Sequence, residues 1–197
     1  LSALGQTART GDYDRFLTTL FAPPGKREAL CALITFNLEI AHIRDAVREP
    51  MLGHIRLQWW REAFAEAKAG KPRRHDVLEG LSGADVPEPL IEEMLEAREI
   101  EYASEPPATM ADFKAYASGS SGALSEAMMA VLGGNASQRA TARTVGTAFG
   151  IVGLLRAVAF QAHHGRVLLP SDVLAAAGTN SNAVKSLRAG SEIAMAA

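Results

Sequence analysis

The chain lacks the signals that build a β-sheet, which restricts it to packing helices on helices. β-Branched runs are few, and no alternating apolar stretch is bounded by an Asn-Gly or Asp-Gly turn. Helical signals are frequent. A first helix is predicted over about Asp12 to Phe21, stopped at Pro23-Pro24, because proline lacks an amide proton and disfavours helix in the residue before it. A long second helix is predicted from Lys26 to Arg48, ending before Pro50, and a third from Leu52 to Ala69, closed by Gly70 and Pro72. The polar stretch from Lys71 to Pro87 reads as loop plus a short turn of helix. A fourth helix runs from Pro87 to Ala103, and Glu105-Pro106-Pro107 breaks it. Thr109 stands three residues before Asp112, a helix-start box, and the fifth helix continues to Leu132 with Gly133-Gly134-Asn135 as its stop. A sixth spans Ser137 to Ala162, followed by a loop over 163–170 with one short extended piece and a short helix from Ser171 to Ala177. The chain starts without Met and ends in a helix-like run, Ser186 to Ala197, without terminal punctuation, so an incomplete C-terminus is expected.

Composition narrows the function classes. At 197 residues the chain can bury one substantial core, and 48% hydrophobic residues with a net charge of −2 describe an ordinary globular protein. The basic residues are scattered rather than striped, which argues against nucleic acid as a partner. A single cysteine, Cys31, excludes an intrachain disulfide, suits a reducing compartment, and in its apolar stretch reads as a small buried hydrophobe. No window of 18 apolar residues marks a transmembrane helix, and the N-terminus has no signal-peptide layout.

Two helical faces carry the chemistry. On the second helix Asn37, Ala41 and Asp45 are four apart and share a face; on the sixth, Gly153, Ala157 and Phe160/Gln161 do the same. With aspartates at such positions, two carboxylate clusters would face each other and grip Mg²⁺ ions that hold a diphosphate. Five blocks in order give these faces a context: Asp12-Tyr13-Asp14-Arg15-Phe16 through Pro23, Arg27 to Leu33 with Phe36, Leu57-Gln58-Trp59-Trp60-Arg61 after Glu49-Pro50, Tyr116-x-x-Gly119-x-x-Gly122, and Gly165-Arg166-Val167-Leu168-Leu169-Pro170. Together they resemble the squalene/phytoene synthase family over nearly the whole chain. That resemblance implies an all-α, isoprenoid-synthase-type helical bundle, one domain over 1–197, with the family's last helices unaccounted for at the C-terminus. Active members condense two prenyl diphosphates head to head using Mg²⁺.

The departures bear on activity. Where the family carries Asp-x-x-x-Asp, this chain has Ala41 and Asp45; where a second acidic group follows Leu-Arg, it has Ala157, Phe160 and Gln161; and the tyrosine of Gly-Arg-x-Tyr-Leu-Pro is Leu168. A methyl group cannot ligate a hard cation, and two diphosphates brought together without metal would repel strongly. The Phe-Asn-x-Glu-Ile-Ala and Arg-Leu-Gln-Trp-Trp-Arg segments resemble the phytoene-synthase-like branch that includes a mitochondrial complex I assembly factor and bacterial relatives. That branch implies a non-catalytic role, with an isoprenoid or lipid ligand, or a membrane-complex protein, as partner. It implies no cofactor, and a place in the cytoplasm, peripheral at the membrane, or in the mitochondrial matrix of a eukaryote. The alternative is an active Mg²⁺-dependent prenyl transferase with an unusual metal shell.

Individual residues carry two readings each. Asp45 is either a residual metal ligand or a solvated charge, paired with Arg48 or simply exposed; Glu39 and His42 do not fall opposite it at helical spacing. Arg156 and Arg166 are candidates for binding an anion, because guanidinium forms two directed bonds to phosphate or carboxylate; for Arg156, amid Leu154, Leu155 and Val158, a plain salt bridge is the equal alternative. Asn37, Ala41, Tyr116, Gly119, Gly153 and Ala157 are candidate pocket-lining positions, with Gly119 and Gly122 suited to a kink or a close helix approach. His163-His164 reads as loop histidines, and of Trp59-Trp60 one is expected in the core.

Overall fold

Proline and short polar caps set where the helices begin. The computed structural model describes residues 1–47, 49–103 and 105–186, and it is all helical there, with no strand among the described residues. In chain order the helices are α1 (Ala3–Gly11), α2 (Tyr13–Thr19), α3 (Pro24–Ala46), α4 (Pro50–Lys68), α5 (Asp76–Gly80), α6 (Glu88–Glu99), α7 (Met110–Ala117), α8 (Ala123–Val131), α9 (Ala136–Arg156), α10 (Val158–His163), α11 (Ser171–Ala176) and α12 (Ser181–Ser186). α3, α4 and α6 each carry proline in the first turn, where its missing N–H would have no intrahelical partner anyway. The Thr109–Asp112 box opens α7 as expected, and a second box, Asn135 with Gln138, opens α9.

Three boundaries differ from the sequence expectations. A helix that was not expected, α1, precedes the first predicted one: it starts at a Ser2 cap, and Asp12 ends it while accepting a hydrogen bond from the Arg15 N–H at 3.1 Å to start α2, which falls within the predicted span from Asp12 to Phe21. The sixth predicted helix is two, divided at Ala157. No proline or glycine marks that division; α10 turns to bury Ala162 in a small second cluster with Val167, Leu174 and Val184. The loop over 163–170 holds no strand, and α12 follows on an Asn180 cap. The helix-like run expected from Ser186 onward lies outside the described residues after 186.

α3 is the central post. Its residues from Ala29 to Asn37 are buried, and α1, α2, α4, α5, α6 and α8 all pack on it. Phe36, fully buried, meets the Trp60 and Phe64 rings edge-on at 5.0 and 5.2 Å. Burying such a side chain contributes about 1.5–3 kcal/mol. On the other side of the core, α7 runs into α8 through a wider π-helical turn, Ser118–Gly122, whose Ser120 hydroxyl donates to the Tyr116 carbonyl at 2.7 Å. α9 crosses this turn closely. A Cβ at Gly146 would lie 2.6 Å from Ser125 Cβ, and one at Gly150 would lie 2.7 Å from Ser121 Cβ, so the crossing requires glycine.

Candidate functional site

Four polar side chains meet where α3, α6 and α7 converge. Arg98 of α6 donates to Asn37 Oδ1 on α3 at 3.0 Å, to Glu101 Oε1 at 2.8 Å and to the Tyr116 hydroxyl oxygen on α7 at 3.0 Å. Tyr116 in turn donates to Glu101 Oε1 at 2.6 Å. The Arg98 and Glu101 side chains are only 12% and 9% exposed. Burial disfavours the Arg98 charge, but the surrounding Tyr116 and Glu101 oxygens outweigh it and hold the guanidinium protonated. Burial, reinforced by the bond to Glu101, lifts the Tyr116 pKa above the usual tyrosine range and keeps its hydroxyl a donor. Arg44 donates to the Glu101 carbonyl at 3.0 Å and lies over the Tyr102 ring. Tyr102 itself is pushed up to about 12, by burial first and then by the Glu101 charge. The interior therefore contains a fixed cation supplied by the protein, and Asn37 and Tyr116 are spent on it rather than facing open space.

One turn further along α3, Ala41 is half-buried and Asp45 exposed. Asp45 Oδ1 accepts from Arg166 Nη2 at 2.6 Å, so the candidate metal ligand and a candidate anion binder neutralise each other. The alternative partner, Arg48, lies outside the described residues. On the second candidate face, Ala157 and Gln161 are half-buried, while Phe160 is exposed and packs on the His164 ring. Magnesium prefers about six oxygen ligands in near-ideal octahedral geometry. Here it would find one carboxylate already paired, one amide and two methyl groups. No group of three or more His, Cys, Asp or Glu among the described residues could hold a metal. The residues present do not fit a magnesium cluster.

A groove of about 690 Å³ runs between α2, α8 and α9. Leu30, Met128, Met129, Leu132, Val145 and Phe149 give it an apolar lining. Arg15 closes one edge: it donates to Asp12 at 2.5 Å and to the Ser121 hydroxyl at 2.6 Å, and its guanidinium sits 4.4 Å from the Phe149 ring centre. Polar side chains, among them Asp14, Thr18, Ser125 and Thr141, share the wall with these apolar groups.

The family model for squalene/phytoene synthase matches residues 8–197. The chain belongs to the squalene/phytoene synthase family. Among curated relatives, the mouse protein named NADH dehydrogenase (ubiquinone) complex I, assembly factor 6 is 28% identical over 170 residues, covering 84% of this chain and 51% of that protein. The human protein of the same name is 26% identical over the same shares. The chain thus spans about half the length of the curated relatives it matches. Two solved structures superpose on it: squalene synthase HpnC from Alicyclobacillus acidocaldarius, with a TM-score of 0.79 at 15% identity, covering 94% of this chain and 72% of that one, and a dehydrosqualene synthase in complex with ligand, with a TM-score of 0.80 at 17% identity, covering 92% and 65%. At these identities the superpositions establish the fold: an all-α, isoprenoid-synthase-type bundle.

For this squalene/phytoene synthase family member, the remaining candidate positions are dispersed. Gly119 is buried where the π-helical turn passes α6, 3.0 Å from Ala97 for an added Cβ. Gly153 is exposed, with open space around it. Arg156, the other candidate anion binder, is exposed on the last turn of α9, where Val152 and Leu155 are exposed too. His163 and His164 are exposed. Trp60 is buried and Trp59 half-buried, on different faces as adjacent helical residues must be. Sequence reasoning missed Arg98 and Glu101, because neither sits in a family motif block. Val145 and Phe149, which line the groove from α9, stand four residues apart on one helix face, a spacing visible in the sequence.

Proposed function

We propose that this protein does not run metal-dependent head-to-head condensation and instead works by binding. An isoprenoid- or lipid-like chain occupies the α2/α8/α9 groove, and the protein assists the assembly of a membrane-associated complex. The single observation that carries the reading is the Asp45–Arg166 ion pair at 2.6 Å, standing where the last acidic side chain of the first motif face would otherwise be free for metal. Ala41, Ala157 and Gln161 leave no second carboxylate to recruit. The relatives named for complex I assembly support the partner half of the reading, and the apolar groove supports the lipid half. On this reading the protein works at a membrane surface, in the mitochondrial matrix in a eukaryote; among the described residues no helix is long and apolar enough to cross a bilayer.

The test incubates purified protein with farnesyl or geranylgeranyl diphosphate and Mg²⁺ and measures diphosphate release. No release above the protein-free blank is expected, while geranylgeraniol displaces a fluorescent fatty-acid probe and Val145→Arg prevents probe binding. Turnover lost in Asp45→Asn would establish the condensing enzyme instead.

A further inference from the structure

The two tryptophans of the chain stand side by side on α4, away from the groove of α8 and α9. Between α3, α4 and the start of α5 they help wall an open cup of about 350 Å³, completed by Glu39, His42, Arg56 and His75. Its floor is aromatic: the His75 ring packs on Trp60 at 4.9 Å and on Trp59 at 5.6 Å. His75 is fixed in place by two contacts. Its Nδ1 accepts the Val77 N–H that begins α5, at 3.3 Å, and its Nε2 lies 3.5 Å from Glu39 Oε2. A ring nitrogen that accepts from a backbone N–H carries no proton, so Nε2 bears the hydrogen and points it at Glu39. The indole of Trp59 already binds one cation: Arg73, itself held by Glu62 and Glu66, stacks on it at 5.2 Å. The cup thus offers indole and a carboxylate on one side and the exposed Arg56 guanidinium on another, a pairing suited to a ligand with both a positive and a negative group.

Directly beside the cup, the first two turns of α4 expose three large aliphatic side chains, Met51 at 67%, Leu52 at 47% and Ile55 at 57%. At about 100° per residue, Leu52, Ile55 and Trp59 fall within roughly 60° of one another around the helix. The aliphatic stripe and the outer tryptophan therefore face the same way.

We propose that this face of α4 docks on a phospholipid bilayer, with Met51, Leu52 and Ile55 entering the acyl boundary and the cup taking a zwitterionic headgroup. Glu39 and the indoles meet the headgroup ammonium, and Arg56 meets its phosphate. Charge complementarity selects this occupant: an apolar peptide would leave Arg56 without a partner and strip water from the half-exposed Glu39 carboxylate, whose neighbour is His75, and an anionic lipid lacking an ammonium would leave Glu39 opposed by like charge. The inference is independent of the groove and stands if that reading fails.

Both tryptophans of the chain sit at the cup, so in the folded protein their emission responds to its occupation. Vesicles of phosphatidylcholine and phosphatidylethanolamine are titrated into the whole protein while emission and co-sedimentation are followed. A blue shift with binding is expected. Leu52→Glu/Ile55→Glu, which alters only exposed positions, weakens partition by about tenfold or more. Glu39→Gln and Arg56→Glu each weaken it several-fold while the helical circular dichroism of the folded protein is retained, and soluble glycerophosphoethanolamine at millimolar concentration competes. Equal partition of wild type and the double variant overturns the proposal. So does soluble headgroup binding without vesicle binding, or loss in the double variant of a protein contact while vesicle binding persists.

Discussion

Replacing Arg98 by methionine removes the interior cation while keeping an unbranched, similarly long side chain. Three hydrogen bonds are lost, to Glu101, Tyr116 and Asn37, and the Glu101 carboxylate, 9% exposed, is left with the Tyr116 hydroxyl as its remaining side-chain donor. Breaking a buried pair by deleting one partner costs about 3–5 kcal/mol, much of it the penalty on the charge left behind. A chain of this kind has about 5–15 kcal/mol of stability in total, so the variant is expected to fold but to unfold at markedly lower denaturant. Glu101→Gln strands the guanidinium instead and is expected to lose a comparable amount. If the penalty comes from the stranded charge, the double variant Arg98→Met/Glu101→Gln loses less than the sum, with a coupling of about 0.5–3 kcal/mol. Urea unfolding followed by tryptophan emission measures all four proteins. A loss below about 1 kcal/mol for Arg98→Met, or strictly additive losses, would refute the account of a charge-locked interior.

The remaining expectations concern other parts of the molecule. Gly146→Ala forces a methyl against Ser125 and the Ser121 carbonyl and is expected to cost about 1–3 kcal/mol by thermal melting; a neutral result would mean that α9 does not cross the π-helical turn as closely as described. Asp45→Asn breaks a partly exposed pair and is expected to cost under about 1 kcal/mol. Millimolar Mg²⁺ should leave the melting temperature of wild type and this variant alike unchanged, and a magnesium shift present in wild type and absent in the variant would restore Asp45 as a ligand. Glu39 is raised above its ordinary 4.5, by burial first, with His75 opposing and Asp76 reinforcing. Between 4.5 and its folded value the native state holds a proton that the unfolded chain has released, so stability should fall as pH rises through that window, and Glu39→Gln should flatten the slope. Burial likewise raises the Cys31 thiol, so a thiol reagent should label it only once urea has unfolded the protein.

Much of the architecture was written in local chemistry. Pro23-Pro24 and Pro50 were read as breaks and the Thr109–Asp112 box as a start, because each acts on its own turn without any knowledge of neighbours; Pro24 and Pro50 also open α3 and α4, two residues before the expected starts. The Asn135–Gln138 box was equally legible. The replaced motif positions, Ala41, Ala157, Phe160 and Gln161, are likewise facts of the sequence alone, and so is the chemistry they withhold from a metal. What no local rule could give is which charges find each other. Arg98 and Asn37 are 61 residues apart and Asp45 and Arg166 are 121 apart. The break at Ala157, the exposure of Arg156 and the cup behind Trp59 follow in the same way from how whole helices lean on one another. Spacing along a chain fixes a helix and its faces, but the partner of a buried charge is chosen by packing, because only desolvation between distant segments makes that pairing decisive.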